Sequence, residues 1–292
     1  MIDPQGTLEG RTIVMSGGSR GIGLAIALRA ARDGANVVLL AKTAEPHPKL
    51  RGTIFEAAEQ IETAGGRALP VVGDLRSDDS IAEVVAAAVE RFGGIDICVN
   101  NASALNLRST LDLTPAQYDL MHDINERGTF MLTRACVPHL RSSRNPHVLT
   151  LSPPLNLDSK YWLAKFPAYL MSKYAMSLAT VALAAEFETD GIAINSLWPR
   201  TTIGTDAVKN LLGGEDALSR ARRPEIIADA AHAILTTPSR MLTGQLLIDD
   251  EVLAATGVTD FRPYSFTGVD AGFDPDFFLA EPHPAEQQEA RR

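Results

Sequence analysis

The chain has 292 residues, with 27 Lys and Arg against 36 Asp and Glu for a net charge of -9, a hydrophobic fraction of 45 % and 2 cysteines. Without a basic block the surface repels phosphate backbones, which excludes a nucleic-acid partner held by a broad electrostatic footprint. Cys98 and Cys136 sit in apolar and helical runs and lack CxxC spacing; two lone thiols build neither a disulfide framework nor a zinc site, so a reducing, cytoplasmic setting is expected.

Met1-Ile2-Asp3-Pro4 lacks the charged-then-apolar profile of a signal peptide, and no apolar run approaches about 18 residues, so no membrane span is expected. From residue 12 to about residue 249, short apolar runs alternate with helical patterns, the signature of repeated βα units. The runs predict seven strands, at 12–15, 36–40, 68–72, 95–100, 147–151, 192–197 and 245–249. Between the third and fourth, Ile81, Val84, Val85, Ala88, Val89 and Phe92 form an apolar stripe at helical spacing. Right-handed crossovers then place helices on both faces. The expected fold is α/β, a single doubly wound Rossmann-type domain with a seven-stranded, mainly parallel sheet, spanning residues 1–255. Its ligand crevice lies beyond the carboxyl ends of the strands.

Two segments break the rhythm. Residues 43–49 hold Pro46 and Pro48 and read as a loop at the cofactor edge. Residues 256–292 hold Pro263, Pro275, Pro282 and Pro284 with Phe277-Phe278-Leu279, and read as an extended tail whose aromatics cover the cleft or dock on a neighbour.

The first strand runs into Ser16-Gly17-Gly18-Ser19-Arg20-Gly21-Ile22-Gly23, followed at once by a helical pattern. Glycines at a strand-to-helix turn let the backbone approach a pyrophosphate, and the free N–H groups of the helix end hold its charge. The spacing Gly17-x3-Gly21-x-Gly23, together with Asn100-Asn101-Ala102-Ser103 and Tyr169-Leu170-Met171-Ser172-Lys173, resembles the short-chain dehydrogenase/reductase family over about residues 8 to 250. One branch of the family is matched more closely through residues 41–50, 152–157 and 275–279. Relatives of that branch carry a sterol-carrier domain downstream, which is not expected here.

The resemblance implies a nicotinamide cofactor held by Ser16, Gly17, Ser19, Arg20, Gly21, Ile22, Gly23, Lys42, Asp74, Leu75, Asn101, Ala102, Lys173, Pro199 and Thr201. Asp74 matches the family's adenine-binding Asp, and Lys173 its ribose-binding Lys. Which cofactor follows from charge. An acid ending the second strand favours NAD, because it accepts from the ribose hydroxyls and repels a 2′-phosphate. Here the strand ends Leu40-Ala41-Lys42 with no acid, and Arg20 approaches the same place, so NADP is expected.

Tyr169 and Lys173 are four residues apart on a helix, hence on one face. An ammonium beside a phenol favours the phenolate, so Lys173 is expected to lower the Tyr169 pKa toward a value useful for general acid/base work. Asn125 matches the family's helix asparagine, which supports a water leading to the lysine. At the family's serine position the chain departs: Pro153 stands there, with Ser152 just before it. Proline offers no donor. Ser152 is the first candidate for the role, with Asn156 and Ser159 behind it.

The six histidines show no HxxxH or HExxH pairing, and no metal site is expected. Asp249-Asp250-Glu251 reads as a solvated turn after the last strand. A lid over about residues 201–223, including Leu211, Leu212, Gly213 and Gly214, follows the sixth strand. Leu155, Leu157, Tyr161, Trp162, Leu163 and Phe166 favour an apolar, lipid-like substrate, though a subunit contact reads equally well. The expected function is an NADP-dependent oxidoreductase interconverting hydroxyl and carbonyl, as a homodimer or homotetramer. The alternatives are an NADP-binding sensor or scaffold with little catalysis, and a 3-hydroxyacyl thioester dehydrogenase.

Overall fold

Alternation along each short apolar run sorts its side chains onto two faces. Ile13 and Met15, Val37 and Leu39, Ile97 and Val99 join one buried cluster, whereas Val14, Val38 and Leu40, and Cys98 join another. Both faces of the sheet are therefore covered, as a parallel sheet requires. In this computed structural model the described residues are 2–46, 52–206, 208 and 214–279.

The strands are β1 (Thr12–Ser16), β2 (Asn36–Ala41), β3 (Arg67–Val72), β4 (Ile97–Asn100), β5 (His147–Thr150), β6 (Ala193–Trp198) and β7 (Leu246–Ile248). They form one sheet in the order β3-β2-β1-β4-β5-β6-β7, with every pairing parallel. The chain order reverses between β1 and β4, so the ligand crevice opens at their carboxyl ends. Strand limits fall within one residue of expectation except at the start of β4. β4 starts at Ile97, two residues past the expected start, although Ile95 is buried; β7 ends at Ile248, because Asp249 already begins a helix, Asp249–Ala255.

Helix α1 (Gly21–Ala31) and the helix Glu225–Thr236 cover one face. Helix α2 (Ile54–Thr63) packs on that face too, opened by a reciprocal Thr53–Glu56 capping box. The opposite face carries α3 (Asp78–Phe92), which holds the expected stripe and is stopped by Gly93 in the left-handed region at φ 85°. After α4 (Pro115–His122) the chain widens into a π-helical turn, Asp123–Gly128, before α5 (Thr129–Leu140). Such turns concentrate at functional sites. The short α6 (Lys160–Ala164) precedes α7 (Pro167–Glu186), whose Pro167 sits in the first turn, where its missing N–H costs nothing.

The tail doubles back across the carboxyl ends of the strands. Pro275 bridges Thr201, the Asp276 N–H donates to the Arg200 carbonyl, and the Trp198 Nε1–H donates to the Phe277 carbonyl at 3.0 Å. Phe278 ends fully buried in a third apolar cluster with Met121, Trp162, Tyr169, Leu170, Tyr174, Trp198 and Ile248. Of the expected readings, the loop from residue 47 to 51, Leu211, Leu212 and Gly213 of the lid, and the tail beyond Leu279 lie outside the described residues. Among the described residues no helix is long and apolar enough to cross a membrane.

Candidate active site

The glycine turn bends where side chains would collide. A Cβ on Gly17 would lie 2.8 Å from the Ala102 Cα, and one on Gly23 2.6 Å from the Gly17 carbonyl. Asn101 closes the same corner, its Nδ2 donating to the Gly17 carbonyl at 2.7 Å, while the Ala102 N–H donates to Ser16 Oγ at 3.2 Å. These bonds lock the end of β4 against the end of β1, leaving a cavity of ≈ 680 Å³ beyond them.

Gly17, Ser19, Arg20, Gly21, Ile22, Lys42, Asp74, Leu75, Asn101 and Ala102 line this cavity together, as does Ser103. Ser16, Gly23, Lys173, Pro199 and Thr201 stand outside its wall: Ser16 is buried and committed to Ala102, and Thr201 is buried under the tail. Thr43, Gly204, Thr205 and Asp206 also line the cavity and were not anticipated as single residues. The last three fall at the start of the expected lid.

Charge at the far end of the cavity is unevenly committed. Arg76 hydrogen-bonds the Asp74 carboxylate, at 2.7 Å on its closest prong, and holds the acid well down, at about 2. Lys42, about half exposed, approaches the same carboxylate at 3.6 Å. Arg20 donates from Nη2 to the Gly52 carbonyl at 3.1 Å, but its buried Nη1 has no partner among the described residues.

Outside the cavity wall, α7 carries Tyr169 and Lys173 on one face. Tyr169 is 6 % exposed and Lys173 2 %. The Lys173 ammonium donates to the Leu151 carbonyl at 2.6 Å and lies 4.9 Å above the Trp198 ring. Burial pulls its pKa down to about 7, against the opposing pull of the nearby Asp276 carboxylate.

The expected lowering of the Tyr169 pKa is not what this arrangement produces. Burial pushes the phenol up, the Asp276 charge pushes the same way, and the nearby Ser103 side chain opposes them. Lys173 is turned to the Leu151 carbonyl, and desolvation sets the direction for the phenol.

Asn125, fully buried on the π-helical turn, uses its whole amide on protein groups. Its Oδ1 accepts from the Ala104 N–H at 2.7 Å, and its Nδ2 donates to the Ala104 carbonyl and to Ser172 Oγ. Ser152 is fully buried with no hydrogen-bond partner for its hydroxyl among the described residues, and it does not line the cavity. The backups are occupied as well. Asn156 Nδ2 donates to the Phe278 and Leu279 carbonyls, and Ser159 Oγ caps α6 by accepting from the Trp162 N–H.

Asp249-Asp250-Glu251 is not a solvated turn. Asp249 is fully buried and accepts from the Arg200 N–H at 2.9 Å, while Asp250 and Glu251 both pair with the Arg200 guanidinium. The acids anchor the turn after β6 through contacts some fifty residues apart in the chain. Asp276, of intermediate exposure, lies near this charge. Desolvation lifts it, its bond from the Phe277 N–H draws it back, Asp249 adds to the rise and Lys173 opposes it, leaving it at about 7. Among the described residues no cluster of His, Cys, Asp and Glu is arranged to hold a metal ion.

With this geometry in place, the likeness to known proteins can be located. The family model for short chain dehydrogenases matches residues 11–216. Hydroxysteroid dehydrogenase-like protein 2 of Danio rerio is 51 % identical over 96 % of this chain, and that of Rattus norvegicus 49 % over 97 %. The chain spans 66 % and 53 % of those relatives' own lengths. A short chain dehydrogenase structure from Mycobacterium thermoresistibile is 52 % identical, covers 95 % of this chain and 98 % of its own, and superposes with a TM-score of 0.89. More distant structures, 26 % identical with TM-scores of 0.71 and 0.67, hold NADP in a Burkholderia cenocepacia protein and NAD in one from Mycobacterium paratuberculosis. A parallel sheet reversing at a glycine turn, a buried Tyr-Lys pair on one helix and a family match across most of the chain lead to one conclusion: this protein is an oxidoreductase of the short-chain dehydrogenase/reductase family.

Proposed function

We propose that the protein is an NADP(H)-dependent oxidoreductase that interconverts a hydroxyl and a carbonyl on an apolar small molecule. The observation that carries the cofactor choice is the buried Nη1 of Arg20, without a partner among the described residues, at the end of the cavity where β2 is followed by Lys42 and no acid. A buried guanidinium N–H without an acceptor is costly, and a 2′-phosphate supplies one. Gly17, Gly21 and Gly23 leave room for the pyrophosphate, and the start of α1 offers free N–H groups to it. The residues present therefore fit the dinucleotide.

When bound, the nicotinamide supplies the hydride for reduction or takes it up in oxidation. Tyr169 gives its phenolic proton to the substrate oxygen in reduction and takes one back in oxidation. Its raised pKa keeps the phenol protonated at neutral pH, which suits the reductive direction. Lys173, which here donates to the Leu151 carbonyl, is the residue that would hold the ribose hydroxyls of a bound cofactor. Asn125 fixes the Ala104 backbone and the Ser172 hydroxyl between them. The aromatic walls of Trp162, Trp198, Phe277 and Phe278 around the phenol favour an apolar substrate and exclude water.

One observation favours the rival reading as an NADP-binding sensor: Phe278 packs directly on Tyr169, so the reacting phenol is covered. A screen of aldehydes, ketones and acyl thioesters with NADPH separates the two. Turnover that disappears in Tyr169→Phe supports the enzyme, and acyl thioesters as the preferred substrates would select that subclass; NADPH binding with no turnover on any class contradicts the catalytic reading. Phe130, Met171, Leu178 and Val181 are exposed on α5 and α7, which supports assembly as a homodimer or homotetramer. The free buried thiols of Cys98 and Cys136 fit a cytoplasmic, reducing compartment.

A further inference from the structure

Tyr169 has to meet the substrate oxygen, yet the phenol is buried, and neither it nor Lys173 is on the wall of the cavity of ≈ 680 Å³. What stands against it is the tail. The Phe277 and Phe278 rings lie 6.5 and 5.8 Å from the Tyr169 ring, and Phe278 is enclosed as well by Trp162, Tyr174 and Trp198. A benzyl group therefore fills an aromatic socket at the face of the reacting phenol.

The tail's hold on the body changes character at Asp276. Up to there it is backbone to backbone: Asp274 donates its N–H to the Arg220 carbonyl and accepts from the Thr202 N–H, Pro275 bridges Thr201, and the Asp276 N–H donates to the Arg200 carbonyl. From Phe277 on, the described bonds to the body are donated by side chains. Trp198 Nε1 donates to the Phe277 carbonyl at 3.0 Å, and Asn156 Nδ2 to the Phe278 and Leu279 carbonyls at 3.3 and 3.1 Å. Phe278 also sits in the left-handed region at φ 70°, strain that is relieved when it leaves. Residues 277–279 can thus lift about Asp276 while the turn after β6 stays zipped.

We propose that Phe278 occupies the subsite for the substrate's apolar group, so that substrate binds by exchanging its own ring for the Phe278 ring. The proposal rests on the oxidoreductase reading above and narrows its substrate class to a carbonyl or carbinol carbon bearing a planar, phenyl-sized apolar group, which is the shape the socket holds. The exchange keeps the socket filled and dry. It also frees the Asn156 amide and the Trp198 N–H as donors for polar atoms of the substrate. While docked, Phe278 competes with every substrate, and apparent affinity falls in proportion to the fraction of molecules whose socket is open.

The test uses the whole chain with NADPH, benzaldehyde and acetophenone as aryl probes and acetone as a probe without a ring, on wild type, Phe278→Ala and the milder Phe278→Leu. KM for the aryl probes is expected to fall at least tenfold in Phe278→Ala and by less in Phe278→Leu, with kcat within about threefold of wild type and NADPH titration unchanged. Acetophenone has a KM at least tenfold below that of acetone in all three proteins. A second readout needs no variant. In wild type carrying NADP, which cannot reduce a ketone, saturating acetophenone speeds chymotrypsin cleavage after Phe277 and Phe278 several-fold. An aryl KM that is unchanged or raised in both variants makes Phe278 a wall of the site and overturns the proposal, as does cleavage that acetophenone leaves unchanged or slows, or turnover of other carbonyl classes with none of the aryl probes; each leaves the enzyme reading intact. A protein that binds NADPH and turns over no aldehyde, ketone or acyl thioester, as wild type or as either variant, overturns the enzyme reading and this proposal with it.

Discussion

Phe278 packs its ring on that of Tyr169, centroids 5.8 Å apart and planes tilted by 39°, so a residue of the C-terminal tail roofs the reacting phenol. Phe278 holds a left-handed backbone at φ 70°, which costs a non-glycine residue about 1–3 kcal/mol. Full burial of a phenylalanine contributes about 1.5–3 kcal/mol and offsets it. The rings of Trp162, Tyr174 and Trp198 complete the socket at 5.7, 5.7 and 6.4 Å.

The socket can be read by fluorescence, because the chain has 2 tryptophans and both touch Phe278. Phe278→Ala is expected to cost about 3–5 kcal/mol of tail docking, to red-shift the emission and to speed proteolysis of the tail. Emission and cleavage rates like those of wild type would show that the tail does not depend on this ring.

Asp249 and Asp276 give the tail a pH dependence of definite sign. Burial lifts them to about 6 and about 7 from the ordinary 3.8. Between those limits the folded protein binds more protons than the unfolded chain, so stability is full below about pH 4 and falls as pH rises through 7. Lys173, held at about 7 against the usual 10.5, acts in the opposite sense, adding stability as pH rises between those values. Buried His147, held at about 4 against the usual 6.5, adds stability as pH rises over the same span, so the acid is read by difference: relative to wild type, the melting temperature of Asp276→Asn should rise from pH 5 to 7. Parallel profiles over that range would contradict a raised Asp276.

Gly17 and Gly23 are constrained by space as well as by a ligand. Gly17 has φ 75°, and its added Cβ would meet the Ala102 backbone at 2.8 Å. Gly17→Ala and Gly23→Ala should each weaken NADPH binding at least tenfold, about 1.4 kcal/mol, and lower the melting temperature. Undiminished NADPH binding in both would remove the glycine turn from the cofactor site.

The architecture was legible because the relevant signals are local. Strand alternation, the α3 stripe and the glycine turn each depend on neighbours in the chain, and the structure places all of them within a residue or two of expectation. What depended on distant partners was not legible. Asp249 looks like a solvent-facing acid until the Arg200 backbone, far away in sequence, closes over it. The direction of the Tyr169 pKa could not be seen either, because burial by the tail and the Asp276 charge come from more than a hundred residues downstream.

The central claim is that the cavity selects NADP(H) through Arg20 and Lys42. Fluorescence titration of the protein with NADPH and NADH, repeated on Arg20→Ala and Lys42→Ala, tests it directly. The account predicts tighter binding of NADPH, a preference that shrinks about tenfold or more in Arg20→Ala as a charge-assisted contact is lost, and NADH binding that hardly changes. Equal affinity for the two cofactors in wild type, with neither variant shifting it, would contradict the claim.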